Sequence, residues 1–453
     1  MLEPLYNARE MRTAEERYPG WPGSVPELMD RAGRAVAEEA LRRFPDARSF
    51  TVVCGGGANG GDGRIAAELL SASGREVRVV DAKAAGPDLG RPDVLLDALF
   101  GTGFSGEPRP ESAGLIEAMN RVGAPVLAVD LPSGVDPSTG ETAGAAVRAA
   151  ATVTFHGQKV GLVVAPGRFH AGEVVVADIG LEPLETEHRL ATREILSLVP
   201  RKRPEDTKYT AGSVLVVGGA RGFTGAACLA AEAAFRADAG YVAVAAPPES
   251  LPVIEMRLLE AVKRPLDEVL AAAARAGSLA IGPGLGRDPE RQALVRRLLE
   301  GVDLPAVVDA DALFGLEPFE RQAPTVLTPH SGELARLLRR ESEWVDAHRL
   351  AALGEAVERL RCVVLLKGAD TLVAAPGAGV LVTEHGPPSL ATAGSGDVLT
   401  GVIAAFLAKG VEAHLAAAAA ATACGAAARL GPARGLVASD VVARLPEVLG
   451  AEI

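Results

Sequence analysis

Two glycine-rich loops that carry an aspartate constrain the fold of this chain more than any other feature. GGGANGGDG occupies residues 55–63, and ATAGSGD occupies residues 391–397. A glycine turn between a strand and a helix directs successive backbone N–H groups at one point, where the helix dipole adds positive charge. The loops differ in sequence and lie in opposite halves of the chain. They therefore predict two α/β domains, each with its own site for a phosphate-containing molecule.

Strands that alternate with helices surround both loops. In the first half the sequence predicts strands at 51–54, 76–81, 94–99, 126–129, 152–155 and 173–178, and helices at 25–44 and 64–73. In the second half it predicts strands at 213–217, 241–245, 279–281, 306–308, 325–327, 363–366, 372–374 and 380–383, and helices at 224–237, 396–408 and 413–430. This alternation is typical of a mostly parallel sheet covered by helices on both faces.

The alternation stops at residues 181–204, where prolines and mixed charges accumulate. We interpret this stretch as a linker, because 453 residues are too many for one ordinary core. The expected domains are residues 1–184 and 189–453.

Charge and composition exclude several classes of partner. A formal net charge of -12 argues against nucleic acid or an anionic membrane. The first twenty residues lack the apolar core of a signal peptide, and the alanine-rich stretch at 415–428 is too short to span a bilayer. The four cysteines show no CxxC spacing, which favours reduced core thiols. We expect a cytoplasmic protein that binds neither nucleic acid nor membranes.

The first glycine loop also fits the dinucleotide fingerprint of dehydrogenases. Gly55, Gly57 and Gly60 follow a strand as GxGxxG, and Asp81 ends the next strand. This alternative leaves the polar residues at the other strand ends unexplained.

Those polar residues are Asn59, Asp97, Asp130 and Ser133. Loops at the carboxyl ends of strands share one crevice in an open α/β sheet, so these four side chains are predicted to converge. Carboxylate, amide and hydroxyl oxygens suit a hard cation, and a second carboxylate is free for acid–base chemistry. The alternative is that Asp97 and Asp130 only cap helices and tie turns.

The second glycine loop has the parts that phosphoryl transfer needs. Backbone N–H groups of residues 393–396 are positioned to stabilise charge, and Asp397 to accept a proton from an attacking hydroxyl. An ordinary helix N-cap is the alternative interpretation of Asp397. Lys367 follows a predicted strand and is expected to meet nucleotide phosphates, and His330 lies at another strand exit as a candidate ligand contact.

Four motifs of the first half, GGGANGGDG, DALFGTGFSGE, AVDLPSGVDPSTG and HGQKVGLVVAPG, resemble the epimerase domain that interconverts the C6 epimers of hydrated NADH and NADPH. The resemblance implies a potassium ion held by Asn59, Asp97 and Ser133, and a catalytic Asp130 in contact with the reacting ring. Ala58 departs from the family, which has a second asparagine there. The implied substrate-binding residues are Ala58, Asn59, Gly60, Gly61, Asp62, Gly101, Thr102, Gly103, Phe104, Ser105, Gly106, Glu107 and Asp130.

The motifs IGPGLG, VVDADAL, TPHSGEL, KGADT and ATAGSGD of the second half resemble the ribokinase-like dehydratase that removes water from the S epimer of hydrated NAD(P)H. The resemblance implies Mg²⁺ and a phosphate donor, ADP or ATP, with ADP implied by bacterial relatives of this fused kind. Thr207, Tyr209 and Asp238 depart from the family pattern. The implied dinucleotide contacts are Ala226, Gly284, His330 and Asp397, with Asp397 catalytic, and the implied donor contacts are Lys367, Gly368, Ala369, Asp370, Thr371, Thr392, Ala393, Gly394, Ser395 and Gly396.

Together these resemblances predict an N-terminal Rossmann-like three-layer α/β domain and a C-terminal ribokinase-like α/β domain. The predicted function is epimerisation and nucleotide-dependent dehydration of hydrated NADH and NADPH, by a homo-oligomer. Two alternatives remain besides the dehydrogenase. The second half is also compatible with a kinase for a vitamin precursor or sugar, and the first half with a non-catalytic dinucleotide-binding module.

Overall fold

The computed structural model describes residues 2–83, 88–383 and 386–451. The chain divides into two compact units. One comprises Pro4–His188 and Asp346–Arg349, and is called the N-terminal unit below; the other contains the remaining described residues and is called the C-terminal unit.

A parallel sheet forms the centre of the N-terminal unit, with strands in the order β3-β2-β4-β5-β6-β7. The strands before residue 188 are β1 (Leu2–Leu5), β2 (Ser49–Cys54), β3 (Glu76–Asp81), β4 (Val94–Ala98), β5 (Val126–Val129), β6 (Ala151–Phe155) and β7 (Glu173–Ala177), and the helices are α1 (Ala8–Glu16), α2 (Val25–Arg43), α3 (Ala58–Ala72), α4 (Pro110–Arg121), α5 (Val160–Val163) and α6 (Arg168–Ala171).

Side chains from both faces of this sheet are buried. Val52 and Leu96 pack in one hydrophobic cluster, whereas their neighbours Val53 and Leu95 pack in another. Because successive side chains of a strand point to opposite faces, both faces are covered. The strand ends that carry the polar residues therefore open at one edge of a rigid sheet.

The C-terminal unit contains a sheet in the order β1-β8-β17-β16-β15-β14-β13-β12-β9-β10-β11. Strands β9 to β15 pair in parallel, and β15, β16 and β17 pair antiparallel. Its strands are β8 (His188–Ala191), β9 (Ser213–Val217), β10 (Tyr241–Ala246), β11 (Val262–Pro265), β12 (Ser278–Ile281), β13 (Ala306–Val308), β14 (Thr325–Leu327), β15 (Val363–Leu366), β16 (Thr371–Ala374) and β17 (Val380–Thr383).

Alanine-rich helices cover this sheet closely. Helices α14 and α15 and the strands share a large cluster of buried alanine, valine and leucine side chains. The helices after residue 188 are α7 (Thr224–Arg236), α8 (Leu251–Arg257), α9 (Val269–Ala273), α10 (Pro289–Gly301), α11 (Ser331–Leu338), α12 (Ser342–Ala347), α13 (Arg349–Leu360), α14 (Ser395–Ala408), α15 (Ala413–Arg429) and α16 (Ala438–Gly450). None of the helices in the described ranges is both long and apolar enough to cross a bilayer.

The predicted fold class is confirmed, but three expectations about elements are wrong. Helix α3 begins at Ala58 and not at residue 64, so most of the first glycine loop is helical. The predicted linker contains strand β8 and a 3-10 helix at Arg193–Leu198. A further helix, α16, follows the two that were expected to close the chain. Only four residues form β8, too few to give a periodic pattern.

Candidate active sites

In the N-terminal unit, Asp97 and Ser133 form a buried pair at the carboxyl edge of the sheet. Asp97 belongs to β4, and its carboxylate accepts hydrogen bonds from Ser133 Oγ at 2.6 Å, Ser133 N at 2.7 Å and Leu99 N at 3.2 Å. Burial raises the pKa of Asp97 to about 6, against the lowering effect of these hydrogen bonds. The pair therefore places a carboxylate and a hydroxyl oxygen side by side in a solvent-excluded position.

The side chains of Asn59 and Asp130 both lie close to Gly101. A Cβ atom at Gly101 would lie 3.1 Å from both Asn59 Oδ1 and Asp130 Oδ2, so a larger residue there would require these two side chains to shift by a few tenths of an ångström. Both polar atoms of the Asn59 amide are buried and have no hydrogen-bond partner within the described part of the chain. An amide buried in this state is costly unless a ligand or an ion completes it.

A salt bridge fixes the position of Asp130. Lys159 Nζ lies 2.8 Å from Asp130 Oδ1, and both residues are buried. Lys159 also donates hydrogen bonds to Thr154 Oγ1 and Phe155 O, and Thr102 N donates to Asp130 Oδ2 at 3.1 Å. The backbone of Asp130 has a φ of 67°, which is uncommon outside glycine and is often found at functional sites.

Sequence reasoning missed Lys159 although it quoted the motif that contains it. The available signal was a lysine four residues after the buried strand β6, at the same sheet edge as Asp130. A cation placed there neutralises the carboxylate that the motif analysis had selected.

Asp62, Asp130 and Lys159 line a cavity of about 110 Å³ together with Glu15 of helix α1. Burial raises the pKa of Asp62 to about 8, with further contributions from the charges of Asp130 and Glu15. The pKa of Glu15 is also raised, first by burial and then by Asp130. Burial thus favours the protonated form of the Asp62 carboxyl group, which shares this cavity with the Asp130–Lys159 pair.

The sequence-predicted substrate residues of the N-terminal unit separate into two groups. Ala58, Asp62, Thr102 and Asp130 line this cavity. The segment that follows Thr102 is more exposed, and Phe104 stacks on Phe100 at a centroid distance of 4.8 Å. Residues outside the lining of the cavity are Asn59, Gly60, Gly61, Gly101, Gly103, Phe104, Ser105, Gly106 and Glu107.

Asp81, which the dehydrogenase alternative needs as a ribose ligand, is already paired. Its carboxylate accepts from Arg64 Nη2 at 2.9 Å and from the backbone N–H of Lys83 at 2.9 Å. Arg64 also donates to Gly55 O. The pair ties the end of β3 to helix α3, and thus gives Asp81 a structural role.

In the C-terminal unit, Asp397 lies in the first turn of helix α14 but does not cap it. The N-cap is Gly394, whose φ is 88°, a conformation that glycine adopts without strain. The N-cap interpretation of Asp397 is therefore wrong. Burial raises the pKa of Asp397 to about 7, the charge of Asp309 adds to the rise, and Lys367 opposes it.

Lys367, which follows β15, forms one polar cluster with Asp309 at the end of β13, Glu333 of α11 and Thr400 of α14. Its Nζ lies 2.8 Å from Asp309 Oδ1 and 3.7 Å from Glu333 Oε2, while Thr400 Oγ1 donates to Asp309 Oδ2 at 2.8 Å. Burial alone would lower the pKa of Lys367, but Asp309 and Glu333 raise it overall. A Cβ atom at Gly396 would lie 3.5 Å from Lys367 Nζ, which places the glycine loop directly over this cation.

Sequence reasoning gave no role to Asp309, Glu333 or Thr400. Asp309 directly follows β13, as Lys367 follows β15, so its position at the sheet edge was readable from the strand pattern. Thr400 lies one helical turn after Asp397, which places both on the same face of α14.

His330 is the N-cap of helix α11. Its Nδ1 accepts hydrogen bonds from Gly332 N at 3.0 Å and Glu333 N at 3.3 Å, and Glu333 completes a capping box by accepting from His330 N at 2.9 Å. Nε2 of His330 lies 3.5 Å from Glu333 Oε1. The cap orients the imidazole ring beside the Lys367 cluster.

The remaining predicted residues of this unit lie on the glycine loops and on helix α7. Ala226 lies in the first turn of α7, and a Cβ atom at Gly284 would be 3.3 Å from the Ala226 Cβ. The Gly394 turn approaches Leu229 of the same helix, where a Cβ atom would lie 2.6 Å from Leu229 Cδ1. Helix α7 therefore connects the Ala226–Gly284 contact to the loop that precedes Asp397.

The donor segments show mixed burial. Asp370 is buried. Thr371 Oγ1 donates to Gly368 O at 3.0 Å, and this hydrogen bond closes the turn that follows Lys367 and contains Ala369. In the second segment, which comprises Thr392, Ala393, Gly394, Ser395 and Gly396, the Ser395 hydroxyl donates to Thr392 O at 2.9 Å.

One departure from the family pattern has a structural explanation. Asp238 occupies a position with a φ of 70°, a conformation that favours the glycine implied there by the motif resemblance. Aspartate tolerates this conformation better than most residues, and its carboxylate pairs with Lys202 and Lys409, each at 2.9 Å. The turn is therefore kept despite the substitution.

The two units define a class of protein: an enzyme with a Rossmann-like site and a ribokinase-like site in one chain. Comparison with known sequences agrees with both halves. Residues 214–447 match the profile of the family described as NAD(P)H-hydrate dehydratase, and residues 25–87 and 80–161 match that of the YjeF-related protein N-terminus.

The chain belongs to the family of bifunctional NAD(P)H-hydrate repair enzymes. It is 38% identical to the bifunctional NAD(P)H-hydrate repair enzyme Nnr of Moorella thermoacetica, over 93% of this chain and 92% of that protein. It is 37% identical to the enzyme of the same name from Pyrobaculum aerophilum, over 97% of each. The family resemblance predicted from the motifs is thus confirmed.

Solved structures resemble the C-terminal unit. The ADP/ATP-dependent NAD(P)H-hydrate dehydratase of Bacillus subtilis, co-crystallised with ATP and Mg²⁺, is 30% identical, with a TM-score of 0.53, and covers 57% of this chain and 96% of its own. A ribokinase-like superfamily protein of Enterococcus faecalis is 26% identical, with a TM-score of 0.51, over 59% of this chain and 98% of its own.

Proposed function

We propose that this protein repairs hydrated NADH and NADPH in two steps. The N-terminal unit epimerises the R and S hydrates, and the C-terminal unit dehydrates the S epimer with ADP or ATP as phosphate donor. The observation that carries the proposal is that one chain contains, in separate units, a buried acid–base cavity and a buried Asp397–Lys367 cluster. Similarity to repair enzymes over nearly the full chain supports it.

Asp397 is the base of the dehydration. It accepts the proton of the C6 hydroxyl while that oxygen attacks the terminal phosphorus of the donor. This transfer breaks the bond from the terminal phosphorus to the rest of the nucleotide, so ADP leaves as AMP and ATP leaves as ADP. Inorganic phosphate then leaves with the electron pair of the C6–O bond, the C5 proton passes to water, and the C5–H electron pair forms the ring double bond. A pKa of about 7 suits Asp397 to this role, because it is largely ionised just above neutral pH yet basic enough to accept a proton.

Lys367 and the glycine loop bind the donor. A permanently protonated Lys367, held by Asp309, offers the positive charge that a transferring phosphoryl group requires. The backbone N–H groups of residues 393–396 add hydrogen-bond donors at the start of α14. The buried Glu333 carboxylate, 3.7 Å from Lys367 Nζ, would offer oxygen ligands of the kind that Mg²⁺ takes, and the bound ion would neutralise charge on the donor phosphates.

Asp62 and Asp130 are the acid and base of the epimerisation. Asp62 donates its proton to the C6 hydroxyl, which leaves as water and gives a ring iminium. Water then adds from the opposite face and gives up a proton to Asp130. Lys159 holds the Asp130 carboxyl group in place for this step through the 2.8 Å contact between Nζ and Oδ1. Proton exchange with water returns both aspartates to their starting forms, and the reverse reaction exchanges the two roles.

Potassium fits the residues that the motif suggested for it. The Asn59 amide oxygen is buried and has no hydrogen-bond partner within the described ranges. The Ser133 hydroxyl is bonded to the Asp97 carboxylate and accepts from the backbone N–H of Phe100, the residue before the Gly101 that lies close to Asn59. Oxygen ligands of this type suit a hard cation. A cation bound there would orient Asn59 at the mouth of the cavity, next to Gly101.

A coupled assay tests the proposal. Mixed R and S hydrates of NADPH are incubated with Mg²⁺, K⁺ and either ADP or ATP, and recovery of the reduced ring is followed by its absorbance. We expect complete recovery, because epimerisation feeds the S-specific step, and the two donors are compared directly. Recovery that stops at the S fraction would contradict the epimerase assignment. A stable phosphorylated product would indicate a small-molecule kinase instead.

Exposed apolar side chains indicate how the protein assembles, and its cysteines indicate where it is located. Three apolar side chains in and after α8 are exposed, with Val253 at 55%, Met256 at 86% and Leu259 at 82% of their full accessibility. A patch of this kind supports a homo-oligomer. The four cysteines are buried free thiols, in agreement with a cytoplasmic location.

A further inference from the structure

The acid–base cavity of the N-terminal unit opens into a second, larger compartment. The inner cavity measures about 110 Å³, and the outer one about 490 Å³. Both are lined by Glu15, Ala58 and Thr102, so the two compartments adjoin. The inner compartment is the smaller of the two and is too small for a whole dinucleotide. The rest of a dinucleotide must therefore lie in the outer compartment.

Charge is distributed unevenly along this path. The inner compartment is lined by three acidic residues, Glu15, Asp62 and Asp130, and by one cation, Lys159, which already pairs with Asp130. The outer compartment is lined by two arginines, Arg9 and Arg12, and by Glu15, which it shares with the inner one. An uncharged reduced ring tolerates the acidic inner end, whereas phosphate groups would be repelled from it. The path therefore matches a ligand that is neutral at one end and anionic further along.

Arg9 and Arg12 are placed to act together on an anion. They lie three residues apart on α1, which puts both on the same face of the helix. Both side chains are exposed, and neither guanidinium makes a salt bridge or a side-chain hydrogen bond to any of the residues that the structure describes. The charge of Arg12 acts on Glu15, three residues further along the helix, but the two arginines outnumber this one carboxyl group in the lining of the outer compartment.

We propose that Arg9 and Arg12 bind the diphosphate of the hydrated dinucleotide while its ring occupies the inner compartment. This inference rests on the proposed epimerase function of the N-terminal unit. Guanidinium groups donate paired hydrogen bonds to phosphate oxygens, and these charge-assisted bonds are stronger than those between neutral groups. Helix α1 thereby becomes part of the substrate site, although none of the glycine motifs includes it.

The test compares arginine variants of the full chain in the epimerisation of hydrated NADH and hydrated NADPH. Arg9→Gln and Arg12→Gln should each raise KM by roughly tenfold with little change in kcat, because the contact is remote from the reacting carbon. The double variant should also show a weaker dependence of KM on salt concentration. Arg12→Lys should recover part of the loss, since it keeps the charge but not the paired geometry.

Arg17→Gln is the matched control, because Arg17 is an exposed arginine at the end of the same helix that lines neither compartment. It removes the same charge and should leave KM unchanged. Equal KM values for Arg12→Gln and Arg17→Gln would overturn the proposal. So would a loss of kcat at constant KM, or an effect confined to hydrated NADPH, which would point to the 2′-phosphate. Failure of the wild-type chain to epimerise either hydrate would instead refute the proposed function itself.

Discussion

At the scale of single residues, a substitution of Asp397 distinguishes the loss of the proposed catalytic base from a loss of helix stability. Asp397→Asn keeps the shape of the side chain but cannot accept the hydroxyl proton. We expect dehydration of the S hydrate to fall by about 10²- to 10⁴-fold with either donor, while epimerisation in the N-terminal unit continues. Single-turnover rates with ADP and with ATP measure this. A variant that keeps more than about a tenth of the wild-type rate would show that another residue is the base.

The Asp397→Asn substitution should stabilise the folded protein, although it lowers the rate of dehydration. The pKa of Asp397 is raised from 3.8 to about 7, mainly by burial, so ionisation in the folded state costs free energy at higher pH. The stability linked to this group is complete below about pH 4 and is lost as the pH rises through 7. Asp397→Asn should therefore melt at a higher temperature than wild type at pH 8, and the difference should shrink towards pH 5. Equal melting differences at both pH values would contradict the assigned burial effect.

Asp97 tests the potassium site. Its carboxylate is the only charged group of the proposed ligand set and is fully buried beside Ser133. Asp97→Asn should reduce epimerisation and remove its dependence on K⁺, while dehydration of pure S hydrate persists. Asp81→Asn is a suitable control, because Asp81 is a surface carboxylate paired with Arg64 at another strand end of the same sheet. Equal loss of epimerisation in both variants would remove Asp97 from a specific role.

At the scale of secondary-structure elements, the start of helix α3 depends on glycines for close packing. A Cβ atom at Gly60 would lie 1.9 Å from the carbonyl oxygen of Gly55, and backbone cannot move aside as a flexible side chain can. We expect Gly60→Ala to lower the melting temperature of the N-terminal unit and to abolish epimerisation. Thermal unfolding with the epimerisation assay measures both effects.

Gly114→Ala is the matched control for that substitution. Gly114 also lies inside a helix, α4, but a Cβ atom there would have no neighbour within 4 Å. The added methyl group should stabilise the helix by about 0.8–1.0 kcal/mol, because alanine has the higher helix propensity. If both variants were destabilised alike, close packing would not explain the glycines of α3.

Strands β5 and β9 and the start of helix α3 show which elements could be predicted from the sequence and which could not. Strands such as β5 and β9 were predicted at their observed bounds, because buried parallel strands are continuous apolar runs between turn residues. Helix α3 was predicted to begin too late, because a glycine run predicts a loop unless its packing partners are known. Those partners include Met29 of α2 and Ala98 of β4, which come from other segments of the chain.

Residues of the candidate sites could likewise be predicted only where a local sequence pattern places them. Residues at strand ends, such as Asp97 and Lys367, were found because strand periodicity places them at one edge of a sheet. Glu15 lies on helix α1 and reaches the cavity only through tertiary packing, which no local pattern encodes. Lys159 acquires its role from Asp130, a residue from another strand end. Pairwise contacts between distant segments are what the sequence pattern lacked.

At the scale of the whole molecule, each unit has its own hydrophobic clusters, so the two units should fold when separated. We propose the boundary at residues 184–189 and expect fragments 1–184 and 185–453 to be soluble. The second fragment keeps β8 but loses β1, the strand beside β8 at the end of its sheet, so it should melt at a lower temperature than the same unit in the full chain. The first fragment should epimerise the hydrates and the second should dehydrate the S epimer. Calorimetry of both fragments and of the full chain measures their stability, and the two assays measure their activities. Aggregation of both fragments, with recovery on co-expression, would show that the units depend on each other to fold.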